Sequence, residues 1–275
     1  MKLSSDRYLR EFLEFAHELA EISGALIRDA FRRPHSVAVK DDASPVTPAD
    51  KAVESRLREQ ISARYPQHGI LGEEYDDIQA NAELVWVIDP IDGTKQFAAG
   101  LPTFATLIAL AHDGRPVVGI IDQPVTSERW VGMSGAGTTF NGKPVRTRRC
   151  EHLANAILAT SAPDYFDAHA APAYQRLHET TRWSLYGAGC HAYGQMATGC
   201  IDIGLEAEHS AYDFCALAPI VDGAGGAITD WQGDALTIHS GDRFIAAGDP
   251  HIHRQALALI ESTWHSNLGA RHDEL

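Results

Sequence analysis

The stretch WVIDPIDGTKQF, Trp86 to Phe97, constrains the fold more than any other part of the chain. Its apolar opening reads as a buried strand, and that strand ends in two aspartates, a proline and a glycine, followed by Thr94. Asp89 and Asp92 therefore stand at the mouth of a strand, where each can sit half-buried. A buried carboxylate without a partner is costly, so it needs a cation, a set of donors or a raised pKa. A turn explains the same letters, because Asp, Pro and Gly are turn formers and Asp can cap the next segment. The rest of the chain has to decide.

Apolar residues recur at helical spacing from Asp6 to Phe31 (Leu9, Phe12, Leu13, Ala16, Leu19, Ala20 and Ser23), with acids and arginines between them. This predicts one long amphipathic helix. SPVTPAD then offers Thr47 as N-cap, Pro48 at the first helical position and Asp50 in the first turn of a second helix reaching about Arg64. From residue 84 the texture changes to strands. LVWVI, TFATLIALA, PVVGIID and RWVGM are separated by turn signals such as HDGRP, which predicts an antiparallel meander. Past about residue 145, strand-like runs (AILAT, WSLY, IDIGLEA) mix with helix-like ones (PAYQRLHETT, CHAYGQMATG, YDFCALAPIVDGAGG, IHRQALALIESTW). The expected organisation is an α+β half over residues 1–145 and an α/β half over 146–275, without a flexible linker.

Composition narrows the partners. A net charge of −14 over 275 residues argues against a general nucleic-acid binder and suits metal cations or a cationic small molecule. No apolar run approaches the roughly 20 residues of a membrane span, and MKLSSDRYLREF shows no signal-peptide pattern. Cys150, Cys190, Cys200 and Cys215 form no CxxC pair, which fits reduced thiols in a cytoplasm.

Three acidic groups lie far apart in sequence: GEE at 72–74, DPIDGT at 89–94, and YDF around Asp213. Each sits where an element starts or stops, the usual location of site residues. Carboxylates converging without His or Cys make an all-oxygen environment, which Mg²⁺ or Mn²⁺ prefers over Zn²⁺. Gly93 and Thr94 add backbone N–H groups that can cradle a phosphate if a helix starts there. Each acid also has a plain alternative. Asp50 can close a capping box with Thr47, Glu73 and Glu74 can be a solvated pair, and Asp213 can be an N-cap. All of these together require four coincidences of acid and element end. A different class of function rests on GAGCHA, where Gly187, Gly189 and Ala192 follow a strand and precede a helix, with Glu206 downstream, as in a dinucleotide-binding turn.

KDDASPVTPAD, GEE, WVIDPIDGTKQF and YDFCALAPIVDGAGG, in this order, resemble the inositol monophosphatase superfamily of Mg²⁺-dependent, lithium-sensitive phosphatases. DGTKQF, TLIAL, GIIDQP and ERW are most similar to its histidinol-phosphate phosphatase branch. Two positions depart from that branch: Ala188 stands where an aspartate is expected, and His191 replaces a tyrosine. The resemblance implies a layered αβαβα sandwich, usually dimeric, whose halves share one site. It implies one Mg²⁺ on Glu73, Asp89 and the Ile91 carbonyl, a second on Asp89, Asp92 and Asp213, and a weaker third near Glu73, with Mn²⁺ able to substitute. Gly93 and Thr94 would receive the phosphate, while Asp50, Thr94 and Glu73 would orient a metal-activated water for in-line attack. Gly189, Cys190, His191 and Glu206, with Asp92 and Asp213, would meet the substrate, Glu206 through its ammonium group; a solvent-facing Glu206 is the alternative. Lys40 to Ser44 matches the family's mobile loop. The implied reaction is hydrolysis of L-histidinol phosphate, with inositol 1-phosphate or another small phosphomonoester as the runner-up.

Overall fold

The apolar stripe of the first segment does form one helix, α1 (Asp6–Ala30), which buries Phe12, Phe15, Ala16, Leu19 and Ala20. The computed structural model describes residues 6–33, 36–40 and 44–269, so positions 41–43 of the Lys40–Ser44 segment lie outside the described residues. Two short strands, β1 (Ala38–Val39) and β2 (Pro45–Val46), pair antiparallel ahead of α2 (Pro48–Arg64). The start of α2 is the one its sequence announces. Thr47 caps it, Pro48 opens it, and the Asp50 carboxylate closes a capping box on the Thr47 N–H at 2.8 Å.

A seven-stranded sheet follows in sequence order: β3 (Gly69–Gly72), β4 (Leu84–Asp92), β5 (Ala105–His112), β6 (Arg115–Gln123), β7 (Glu128–Met133), β8 (Gly137–Phe140) and β9 (Lys143–Val145). Only β3 and β4 run parallel; the rest is the expected meander. Helix α3 (Thr94–Ala98) leaves the end of β4. The later part holds β10 (Ile157–Thr160), α4 (Ala171–Thr180), β11 (Trp183–Tyr186), α5 (Gly189–Ala197) and β12 (Ile203–Glu206). It continues with α6 (Ala211–Phe214), α7 (Leu217–Ala224), β13 (Ala227–Asp230), β14 (Phe244–Ala247) and α8 (Pro250–Gly269). Its five strands are ordered β11-β10-β12-β14-β13.

Three cores separate five layers. Trp86, Ile88, Ile108 and Leu110 pack under α1 and α2, while Val85, Val87, Leu107 and Ala109, on the other face of the same strands, pack against α5 and α7. Those middle helices also touch Ile228, Phe244 and Ala246 of the second sheet. Leu158, Ile203, Leu205 and Ile245 turn outward to α4 and α8. The layering is αβαβα, as expected. One expected helix differs: YDFCALAPIVDGAGG is two helices, interrupted at Cys215 and Ala216. Pro219 has no N–H to give the Cys215 carbonyl, so the ladder cannot run through. Among the described residues no helix is long and apolar enough to cross a membrane.

A single irregularity in β4 sets up the site. Asp89 pairs with Leu107 and Asp92 with Ala105, so three steps along β4 oppose two along β5. Alternation would send Asp92 to the α1–α2 face with Trp86 and Ile88. The extra residue moves it to the Asp89 side instead, while Ile91 joins the α1–α2 core. Pro90 cannot donate to a ladder, and its carbonyl accepts from Thr106 Oγ1 at 2.9 Å, which braces the bulge.

Candidate active site

Asp89 and Asp92 meet Asp213 from the other half of the chain, and one ligand oxygen from each lies within 4.8 Å of the others. Asp213 is not an N-cap; it is the third residue of α6, where its Oδ2 accepts the Ser210 N–H at 2.6 Å in a second capping box. Asp92 is held by the Cys190 N–H at the start of α5, 2.8 Å from its Oδ2. Asp89 is 1% exposed, and its Oδ1 has no hydrogen-bond partner among the described residues. Burial, with the facing charges of Glu73, Asp92 and Asp213, pushes its pKa well above the ordinary carboxylate range. Burial and the Asp213 charge raise Asp92 as well, against the pull of the Cys190 N–H. Converging oxygens, one orphaned in the core and two with raised proton affinity, fit a hard divalent cation.

Glu73 joins the same cavity from the loop after β3. Burial raises its pKa to about 7, although Lys40 Nζ lies 2.8 Å from its Oε1. That loop is fixed by a buried pair on α2. Arg58 Nε donates to Glu54 Oε1 (2.8 Å), Glu54 Oε2 accepts the Glu74 N–H (2.8 Å), and the guanidinium donates to the Tyr75 and Asp76 carbonyls. Glu54 and Arg58 were missed in the sequence because a pair four residues apart on a helix ordinarily reads as a surface ion pair.

Gly93 adopts φ +90° as α3 begins, with Phe104 and Thr103 too close to admit a side chain comfortably. Thr94 Oγ1 is 3.2 Å from Asp50 Oδ1 and 3.1 Å from the Ile91 carbonyl. Asp50 thus serves both of its sequence readings: one oxygen caps α2 and the other faces Thr94. Burial raises its pKa, partly offset by the donors of Thr47 and Thr94.

The cavity, about 290 Å³, is lined by Glu73, Asp89, Ile91, Asp92, Gly93, Thr94, Gly189 and Asp213. Asp50 lies behind Thr94. Three expected substrate residues are not on its wall. Cys190 contributes its amide to Asp92 while its thiol is buried in the middle core. His191 points to Glu128 (3.2 Å) and packs edge-on against Trp130. Glu206 is neither at the cavity nor at solvent: it is 1% exposed and is surrounded by donors. These are Thr160 Oγ1 (3.2 Å), Ser161 N (3.0 Å), Ser161 Oγ (3.1 Å) and Tyr193 OH (3.1 Å), with His209 Nε2 at 3.2 Å. Alternation explains the inward turn, since Ile203 and Leu205 of β12 face the outer core and Glu206 faces α5. Lys95, Gln96, Tyr165, Glu208, His209 and Tyr212 are also on the wall. Lys95 and Gln96 lie inside the opening motif, but Glu208 and His209 sit in the irregular connection between β12 and α6, which follows neither helical nor strand spacing.

GAGCHA does precede a helix, yet the amide a pyrophosphate would need there already holds Asp92. The dinucleotide reading loses its binding group.

The sequence model of the inositol monophosphatase family matches residues 8–265. The chain is 43% identical over 270 residues to the chloroplastic bifunctional phosphatase IMPL2 of Arabidopsis thaliana, covering 95% of this chain and 78% of that one. It is 33% identical to a histidinol-phosphatase of Chlorobaculum parvum, over 90% of this chain and 96% of the relative. The solved inositol monophosphatase from Zymomonas mobilis is similar at a TM-score of 0.85 and 42% identity, covering 92% of this chain and 98% of that one. A match running through both sheets that meet at the cavity makes this protein a phosphatase of the inositol monophosphatase family.

Proposed function

We propose that the protein hydrolyses L-histidinol phosphate to L-histidinol and phosphate with the help of two or three Mg²⁺ ions. The observation that carries the metal dependence is the buried, partnerless Asp89 Oδ1 among converging acids. Glu73, Asp89 and the Ile91 carbonyl would hold one ion, Asp89, Asp92 and Asp213 a second, with a weaker third near Glu73; Mn²⁺ would substitute. Bound there, the ions would supply Lewis-acid charge to the phosphoryl group, the attacking water and the leaving oxygen. The chain's own groups do the positioning. The N–H groups of Gly93 and Thr94 receive phosphate oxygens. With its hydroxyl hydrogen given to Asp50, Thr94 keeps a lone pair to accept a hydrogen from the attacking water, which Glu73 aligns from the other side. The raised pKa makes Asp50 a stronger base than a solvated aspartate, suited to accept the Thr94 hydroxyl hydrogen as Thr94 takes one from the water. Water adds to phosphorus in line and passes a proton through Thr94 to Asp50, the ester P–O bond breaks, and the leaving alkoxide takes a proton from solvent water, while Asp50 returns its own to solvent.

Residues 1–145 would supply most metal and phosphate groups, and residues 146–275 Asp213 and the substrate wall. On family grounds we also propose a homodimer, and from the unpaired cysteines a cytoplasmic setting. Histidinol phosphate as substrate is supported by the Chlorobaculum relative, and the Zymomonas structure supports inositol 1-phosphate as the second reading. The test is phosphate release over a panel of small phosphomonoesters with Mg²⁺, with Li⁺ and with chelator. Histidinol phosphate should give the highest kcat/KM, Li⁺ should inhibit, and chelator should abolish release. A preference for inositol 1-phosphate would install the second reading, and full activity after chelation would end the metal proposal.

A further inference from the structure

We propose that Glu208 selects substrates carrying an ammonium group close to the phosphate; this rests on the phosphatase reading above. Glu208 lines the cavity and is exposed, and no hydrogen bond or ion pair joins it to any described residue. Its φ of +61° is left-handed, a conformation glycine adopts freely and glutamate does not. Its neighbours hold it there. Glu206 is fixed by its donors, the His209 N–H bonds the Asp242 carbonyl at 3.0 Å, and the Ser210 N–H is committed to Asp213. A strained residue with no hydrogen bond or ion pair among the described residues, on the wall of a reaction cavity, is a candidate for contact with ligand.

Charge matching points to the kind of ligand. Asp89, Asp92, Asp213 and Glu73 face one another across the proposed cation site. Lys95 is tied to Tyr165, with Nζ 2.9 Å from its hydroxyl and 5.0 Å from its ring centre. His209 lies between Glu206 and Asp213 and has its counter-charges already. Glu208 remains as the wall's unmatched carboxylate, and an ammonium is its natural partner through a charge-assisted hydrogen bond. Glu206, sealed behind the wall, cannot take that part.

The experiment compares wild type, Glu208→Gln and Glu208→Gly on L-histidinol phosphate and on inositol 1-phosphate, which has no ammonium. Both variants should lower the ratio of kcat/KM (histidinol phosphate over inositol phosphate) by about 5- to 10-fold, the loss lying in KM. Glu208→Gly should melt no lower than wild type, because glycine relieves the left-handed backbone. An unchanged ratio, or a wild type that prefers the neutral ester, overturns the assignment while leaving the phosphatase reading in place. No phosphate release from either ester by wild type removes both.

Discussion

Asp89 and Glu206 are each 1% exposed, one three residues before the end of a strand of the first sheet and the other at the end of a strand of the second. Their surroundings are opposite. Glu206 has hydroxyl, amide and imidazole groups around both oxygens; Asp89 has other carboxylates and an oxygen with no donor among the described residues. Burial alone therefore does not mark a functional acid. Glu206 is satisfied by the fold and helps hold it together. Asp89 is left unsatisfied by the fold, which suits it to a cation.

The same acid-to-amide change at the two sites tests this difference. Asp89→Asn should lower Mg²⁺-dependent turnover by ~10³-fold, since it removes the carboxylate shared by both proposed ion sites. In chelator, however, the variant should melt higher than wild type, because it relieves repulsion with Glu73, Asp92 and Asp213. The pH dependence has a matching sign. Folding raises the pKa of Glu73 to about 7 and raises those of Asp89 and Asp92, so the chelated fold binds more protons than the unfolded chain. The stability these groups contribute is present below about pH 4 and is lost as pH rises through about 7. Melting scans in chelator should show that decline and Mg²⁺ should suppress it. A flat profile would mean the acids are not in conflict.

Thr94→Ala comes next. It removes the hydroxyl between Asp50 and the proposed water but keeps the backbone N–H for phosphate, so kcat should fall on the order of 10²-fold with KM changed less. Thr94→Ser should restore most of the loss. A defect confined to KM would make Thr94 a plain binding residue.

Glu206→Gln supplies the opposite half of the comparison. The amide turns two hydrogens toward groups that were donating, so stability should fall by about 2 kcal/mol whether or not Mg²⁺ is present. Urea unfolding measures this, and both esters should lose kcat/KM alike. A loss specific to histidinol phosphate, without destabilisation, would return Glu206 to the substrate.

These contrasts were only partly legible in the sequence. The Thr47–Pro48–Asp50 start of α2 and the strand ending in DPIDGT follow from local stereochemistry, which a short stretch carries entire. The bulge between Asp89 and Asp92 needs the facing register of β5, which no local pattern states. Strand β3 begins and ends in glycine, which breaks the run of branched and aromatic residues by which a strand is read. Glu206 was misplaced for a similar reason. IDIGLEA fixes which way Glu206 points relative to Leu205, but not that Ser161, Tyr193 and His209 wait on that side. Charge in the sequence marks where an acid is; only the donors around it decide what the acid is for.

Gly189→Ala is the smallest change and reaches the cluster indirectly. Gly189 has φ +48° at the first position of α5, and a Cβ there would lie 2.8 Å from Asp92 Oδ2. That same oxygen accepts the Cys190 N–H at 2.8 Å. A methyl group would therefore have to displace either the carboxylate or the helix start, on top of the strain of a left-handed alanine. Because the amide orients Asp92 without touching a cation itself, the expected effect is about a 10-fold weaker Mg²⁺ affinity. Calorimetric titration with Mg²⁺ measures it directly, and the chelated variant should stay folded. Unchanged affinity would show that Asp92 can move without consequence, and the bulge that turns it toward Asp89 would then have no bearing on the metal.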